Sequence, residues 1–247
     1  MTAWKLNDRP TRDPKLDKDK CKKQIEKLRA RLTELQQALY AERKQSVLLV
    51  IQGLDASGKD GVVRRVFNQV SPAGVTLKAF KAPSKEELAH DFLWRVHPHV
   101  PAKGMLQVFN RSHYEDVLIQ RVHRWIDEDT VKRRFDRINE FEQLLQDNNT
   151  RILKFYLHVS RDEQLKRLEE RTTDRTKMWK HNPNDMVERE HWDEYRHAYE
   201  DVFKHCGPEI PWTIVPADSN WQKEYVVIKR LVETLEEMQP EYPLLAE

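Results

Sequence analysis

Glycine is scarce in this chain: 6 residues in 247, against a usual share of about 7%. A fold with so few glycines has few tight turns and is rich in helix. Cysteine is scarcer still, and Cys21 and Cys206 lie too far apart in sequence for a disulfide framework or a metal-binding spacing. That usage is expected of a reducing cytoplasm. Long hydrophobic runs are missing as well. The longest aliphatic stretch, Val47 to Ile51, falls far short of the ~20 residues a membrane helix needs, and the first residues, with Trp4, Lys5, Asp8 and Arg9, lack the apolar core of a signal peptide. No membrane partner is expected. An excess of charge of one sign is also absent, because 43 Lys+Arg stand against 41 Asp+Glu. The totals therefore give no reason to expect nucleic-acid binding, and any polyanion partner has to be read from local clusters.

What is present begins with pattern. Residues 1–16 carry Pro10, Pro14 and mixed charge without periodicity, as in an arm over the body or a loose terminus. Ile25, Leu28, Leu32, Leu35 and Leu39 then recur at steps of three and four, which predicts an amphipathic helix over 17–44 with a narrow apolar seam. Residues 1–45 are thus an arm and helix preceding a catalytic-type domain of 46–247. From Val47 onward short apolar runs predict strands at 47–52, 75–80, 104–109, 151–158 and 211–215. Helices are predicted between them, at 59–70, 84–95, 114–125, 130–147, 160–172, 185–205 and 220–238. Continuous apolar strands joined by long crossovers require parallel neighbours with both faces covered, so the fold class is a three-layer α/β/α sandwich on a five-stranded parallel sheet. The stretch 172–183 (TTDRTKMWKHNP) is basic and poor in aliphatics. It is read as part of a lid over about 172–190.

Three of the six glycines, Gly53, Gly58 and Gly61, fall within nine residues. Strand 47–52 runs into Gly53-Leu54-Asp55-Ala56-Ser57-Gly58-Lys59-Asp60, which fits the phosphate-loop pattern G-x-x-x-x-G-K. About 0.02 such matches are expected by chance in a chain of this composition. Between a strand and a helix, this loop turns backbone amides and a helix N-terminus toward an anion, and Lys59 adds charge. Two residues depart from the usual triphosphatase loop. Asp60 stands where a Ser or Thr would hold Mg²⁺. Asp55 puts a carboxylate inside an anion cradle, where it faces either a cation or an attacking phosphate oxygen, or else merely caps the helix.

After strand 104–109 comes Asn110-Arg111-Ser112-His113-Tyr114-Glu115, at the carboxyl end where parallel sheets bind ligands. Asn110 offers an amide oxygen to Mg²⁺ and Arg111 a bidentate fork to phosphate, against the bland alternatives of a helix cap and an ion pair with Glu115. His113 reads as a satisfied loop histidine. A basic cluster of Arg167, Arg171, Arg175, Lys177, Lys180 and His181 follows on the helix and lid, with Arg64, Arg65, Lys78, Lys81 and Lys85 near the first two strand ends. Beside a phosphate loop such cations fit a long anionic ligand.

With GLDASGKDG, VFNRSHYEDVL, TKMWKHNPNDMVERE, HWDEYRHAYED and the tail from WTIVPADSNWQK to EMQPEYP in order, the chain resembles the family-2 polyphosphate kinases. The resemblance implies a thymidylate-kinase-like P-loop core with a helical lid and dependence on Mg²⁺, with Mn²⁺ as a substitute. It implies homo-oligomers, dimeric or tetrameric, and reversible phosphoryl exchange between inorganic polyphosphate and adenine or guanine nucleotides. By motif, Asp55, Lys59, Arg111 and Arg171 take the catalytic positions and Asp55 and Asn110 the metal positions. Gly53, Ala56, Ser57, Gly58, Lys59, Asp60, Lys81, Arg111, Arg175 and Lys180 take the phosphate- and nucleotide-binding ones. Asn110 stands where one branch of the family has an aspartate, and with Asp60 it resembles the branch that accepts AMP as well as ADP. Two other readings remain open at this stage: an ATP-dependent nucleoside monophosphate or small-molecule kinase on the same fold, and a non-catalytic nucleotide-regulated interaction module.

Overall fold

The computed structural model describes residues 4–244, so the outermost residues of the sequence ranges above, 1–3 and 245–247, lie outside it. Five strands form one parallel sheet: β1 (Ser46–Gln52), β2 (Val75–Ala79), β3 (Leu106–Asn110), β4 (Thr150–His158) and β5 (Trp212–Pro216). They lie in the order β2-β3-β1-β4-β5, with Val47 beside Leu106 on one side and beside Arg151 on the other. Every residue of β1 is buried. Successive side chains point to opposite faces, so both faces of the sheet are covered, as its unbroken apolar run requires.

The covering elements are α1 (Lys18–Glu42), α2 (Lys59–Val66), α3 (Lys85–Ala89), α4 (Ile119–Val122), α5 (Glu128–Asp147), α6 (Arg161–Thr173), α7 (Asp185–Glu190), α8 (Trp192–His205) and α9 (Asn220–Met238). Helices α1 and α2 both pack on α9, and α5 packs on β4. The apolar seam of α1, with Ile25, Leu32, Leu35 and Leu39 buried, joins the same core as β1 and α9. The described residues before α1, from Trp4 on, lie over the body. Leu6 is buried, its amide donates to Glu200, and Trp4 packs on Phe203. Cys21 and Cys206 are both buried and unpaired.

All five predicted strands form, but four helices differ from expectation. The predicted helix 84–95 is a single turn, because the Asp91 carboxylate takes the amides of Leu93 and Trp94 and holds the chain in a turn. The predicted helix 114–125 is a 3-10 turn at His113–Val117 and the short α4, split at Leu118 and ended by Arg124 at φ 56°. The predicted helix 59–70 stops at Val66, and 185–205 divides into α7 and α8 at His191.

This topology positions the site. Neighbouring strands β1 and β3 send their chains in opposite directions, β1 outward to β2 and β3 across β1 to β4. The crevice at their carboxyl ends is the place where open α/β sheets bind ligands.

Candidate active site

The first wall of that crevice is the loop Gly53–Gly58 between β1 and α2. A side chain at Gly53 would put a Cβ 2.8 Å from Ser57 Oγ and 2.9 Å from the Leu157 carbonyl oxygen, and φ there is 149°. Gly58, at φ 99°, caps α2, and a Cβ on it would fall 2.3 Å from Lys223 Nζ. Ala56 is left-handed too, at φ 59°, an uncommon conformation for a residue with a Cβ. Among the described residues the amides of Asp55, Ala56, Gly58, Lys59 and Asp60 have no acceptor, while the carbonyls on the loop's outer side are occupied. Arg167 Nη1 donates to the oxygens of Ala56 (3.1 Å) and Ser57 (3.0 Å), and Lys223 Nζ donates to Ser57 at 2.9 Å. The loop is therefore fixed from behind with its amides left open, which is the arrangement an anion site needs.

Lys59 folds over the loop and donates to the carbonyl oxygens of Gly53 (2.6 Å) and Leu54 (3.2 Å). Burial, joined by the charge of Arg111, lowers its pKa to about 8. A phosphate in the loop would hold the proton on to higher pH.

The second wall is the end of β3. Arg111 stands at φ 61° and reaches two carboxylates, Asp55 through Nη2 and Glu115 through Nη1 at 3.0 Å. Glu115 in particular raises the Arg111 pKa. Burial opposes ionisation of Asp55, but Arg111, Lys59 and Arg171 outweigh it and hold its pKa below the usual carboxylate range. Gln164 of α6 donates to the Asp55 carbonyl at 3.1 Å. Asp55, Arg111, Glu115, Asp185, Glu188 and Tyr195 face a common cavity.

Asn110 is not among that cavity's lining residues. Its amide nitrogen donates to Asp60 at 2.7 Å, and the other Asp60 oxygen accepts from Lys180 Nζ at 2.6 Å. This ties the lid stretch to the first turn of α2. Arg171 bonds Asp185 at 2.6 Å and so links α6 to α7. Each of these cations is thus met by a resident carboxylate. Arg175 and Lys81 are exposed, and neither lines the cavity. Lys177 pairs locally with Glu170 and Asp174. Arg167, expected to share a function with Arg171, instead turns to the back of the loop.

The donor chemistry fits a hard divalent cation. Asp55 is ionised and Asn110 keeps its carbonyl oxygen free of hydrogen bonds among the described residues, whereas no group of three acidic, His or Cys side chains forms a cage of its own there. Mg²⁺ sites that complete themselves with water and substrate phosphates need only one or two protein oxygens. His113 is buried against Glu142 and Tyr114 and does not line the cavity; its Nε2 meets Glu142 at 3.3 Å, but among the described residues its Nδ1 has no hydrogen-bond partner, so the expected satisfied histidine is satisfied on one side only.

The ion pair of Arg111 with Glu115, one of the two readings of that arginine, does form, whereas sequence reasoning missed Gln164 and Lys223. For Lys223 a signal existed: it lies four and eight residues before the buried Val227 and Leu231, on the core side of α9. A lysine there must have a polar partner inside.

A family model described as Polyphosphate kinase 2 (PPK2) matches residues 15–243. The AMP/ADP-polyphosphate phosphotransferase of Meiothermus ruber is 48% identical over 217 residues, covering 87% of this chain and 81% of that protein. The ADP-polyphosphate phosphotransferase of Rhodopseudomonas palustris is 42% identical over 226 residues, covering 86% and 78%. The crystal structure of polyphosphate kinase 2 from Arthrobacter aurescens TC1 superposes with a TM-score of 0.92 at 42% identity, covering 97% of this chain and 86% of that one.

Proposed function

This chain belongs to the polyphosphate kinase 2 family, and from that premise we propose that it moves the terminal phosphoryl group of inorganic polyphosphate onto ADP or AMP, reversibly, giving ATP or ADP. The observation that carries the reading is the meeting of Asp55, Lys59 and Arg111 at an open-amide loop, with the basic lid tied across its rim.

In phosphoryl transfer the attacking and leaving oxygens lie in line and charge spreads over the equatorial oxygens, so positioning and charge neutralisation do most of the catalysis. The loop amides and Lys59 hold phosphate, and Arg111 and Arg171 neutralise the transferring group. Incoming phosphates replace the carboxylates those cations now hold: Glu115 and Asp55 at Arg111, Asp185 at Arg171, Asp60 at Lys180. Asp55, released from Arg111, would be free to hold the metal, whose charge would let the ionised acceptor oxygen lie near the carboxylate, and it would repel a misplaced anion. Mg²⁺, held by Asp55 and the Asn110 oxygen, would supply charge screening between the phosphate chains. The nucleophile is already an ionised phosphate oxygen, so no strong base is required.

Acceptance of AMP rests on Asn110 with Asp60, and the naming of the 48% identical relative for both AMP and ADP supports it. The same reading includes a homo-oligomer of this chain. Luciferase detection of ATP formed from ADP and long-chain polyphosphate, with and without Mg²⁺, tests the proposal. Indifference to polyphosphate with ATP-driven phosphorylation of AMP would replace it by an ordinary nucleotide kinase. Asn110→Asp, which adds a second carboxylate beside Asp60, is expected to change the ratio of AMP to ADP use. An unchanged ratio would remove the acceptor assignment.

A further inference from the structure

Lys223 is fully buried, yet among the described residues no carboxylate touches it. Its ammonium donates to the Ser57 carbonyl at 2.9 Å. Its ammonium lies directly behind Gly58, in the space a Cβ would claim. The charged groups around it come from three directions. Arg65 comes from the last turn of α2, Arg167 and Glu163 from α6, and Asp218 from the segment before α9. Both acids are engaged elsewhere. Glu163 pairs with Arg167 at 2.8 Å, and Asp218 takes the Ser160 amide and the Thr11 hydroxyl, each at 2.8 Å. Two arginines near a buried lysine, with no free anion, leave the back of the loop short of negative charge.

A buried cation without an ion partner is a costly thing to keep. Something intermittently present must offset it. The front of the same glycine turn is where phosphate is expected, and a phosphate on one side of a backbone made thin by Gly58 would act on the ammonium on the other through a medium of low dielectric. We propose that Lys223 is a positioning residue of the phosphate loop which gains a proton from solvent when phosphate enters and, once charged, grips the Ser57 carbonyl to hold the loop amides on the ligand. Arg167, always charged, keeps the neighbouring carbonyls in place in both states. The lowering of the Lys223 pKa to about 7, by burial first and then by Arg167 and Arg65, agrees with a lysine that is part neutral in the empty protein near neutrality. The inference rests on residues 53–59 being a phosphate loop, but not on which phosphate compound fills it.

Calorimetric titration of the full chain with inorganic tripolyphosphate and, separately, with ATP, in buffers of differing ionisation enthalpy between pH 6 and 9, reads both affinity and protons taken up. The wild type is expected to take up protons near pH 7.5 and to weaken by up to about tenfold per pH unit between pH 7 and 8, the limit for one coupled proton, and more steeply above about pH 8, where Lys59 joins. Lys223→Met should bind at least tenfold more weakly at pH 6 and lose the uptake near pH 7.5. Lys223→Arg, charged throughout, should keep affinity near the wild-type value at pH 6 with that same uptake gone, and the later uptake from Lys59 should persist in both. A Lys223→Met protein with wild-type affinity and uptake overturns the inference. If Lys223→Met fails to fold, undiminished uptake in Lys223→Arg overturns it equally. Binding of ATP without tripolyphosphate would sink the polyphosphate reading, and Lys223 would then be judged on the ATP titrations.

Discussion

Arg111 and Lys154 are both cations set between polar partners, and the loop that carries Arg111 also supplies, two and three residues on, His113 and Tyr114 to the Lys154 cluster. Their accounting differs. Lys154 has three protons and three acceptors: Glu142 at 2.6 Å, the Tyr114 hydroxyl at 3.0 Å and the Cys206 carbonyl. Arg111 has five N–H donors but, among the described residues, side-chain partners only in Asp55 and Glu115. Exposure separates them further, at 0% for the Lys154 side chain and 34% for that of Arg111. A saturated, dry cation can do nothing but hold elements together. An unsaturated one at a cavity wall can trade a carboxylate for a phosphate. Burial of charge alone does not mark a catalytic group; spare hydrogen-bonding capacity facing a cavity does.

The comparison breaks most sharply at Arg111. Replacing it with Ala should cost about 10³–10⁵-fold in turnover, the range for transition-state arginines, with the melting temperature nearly unmoved. Lys at the position should not restore the bidentate fork. Loss of stability in step with activity would show that the two clusters are the same kind of thing. Lys154→Met should do the reverse. Leaving Glu142 buried and unpaired costs about 3–5 kcal/mol, a fall of roughly 10 °C for a chain of this size, while activity per folded molecule stays near normal at low temperature. A calorimetric scan beside an activity assay checks both.

A smaller effect comes from pH. Lys59 in the free protein titrates at about 8, lowered from its ordinary value, so it is charged below that pH and loses charge above it. Bound phosphate holds the proton on. The KM for polyphosphate should therefore rise above pH 8, by at most about tenfold per unit, and kcat at saturation should hold to higher pH. A flat KM would mean that Lys59 touches no phosphate. Smallest is the rim. Lys180→Ala opens a partly exposed pair worth about 0.2–1 kcal/mol, so KM should shift less than about fivefold and stability hardly at all. A hundredfold effect would move Lys180 from the rim to the reacting group.

The sheet was legible because β1 is apolar without interruption from Val47 to Ile51, and β4 is apolar from Ile152 to Leu157 but for Lys154, the mark of strands covered on both sides. The loop was legible because a tight turn around an anion demands glycine at fixed places, and Gly53 and Gly58 do lie at positive φ. Short helices were not, since Asp91 and Arg124 end them through side-chain capture and a left-handed turn that periodicity ignores. Nor was the division of the basic residues. Arg167 and Arg171 share a helix face in sequence, yet one braces loop carbonyls and the other reaches α7. Only the tertiary placement of the phosphate loop against α6 separates them. Lys223 is the same case seen from α9.

Both thiols of the chain are shut inside it, and burial pushes that of Cys206 up to about 12 and raises that of Cys21 as well. A thiol reagent should find the native protein nearly silent at neutral pH. A single cysteine placed at the exposed Trp179 would then carry a fluorophore alone, without first stripping the natural cysteines from the core. Any movement of Trp179 and its neighbours against the loop could be watched as a spectroscopic signal in an otherwise unaltered molecule.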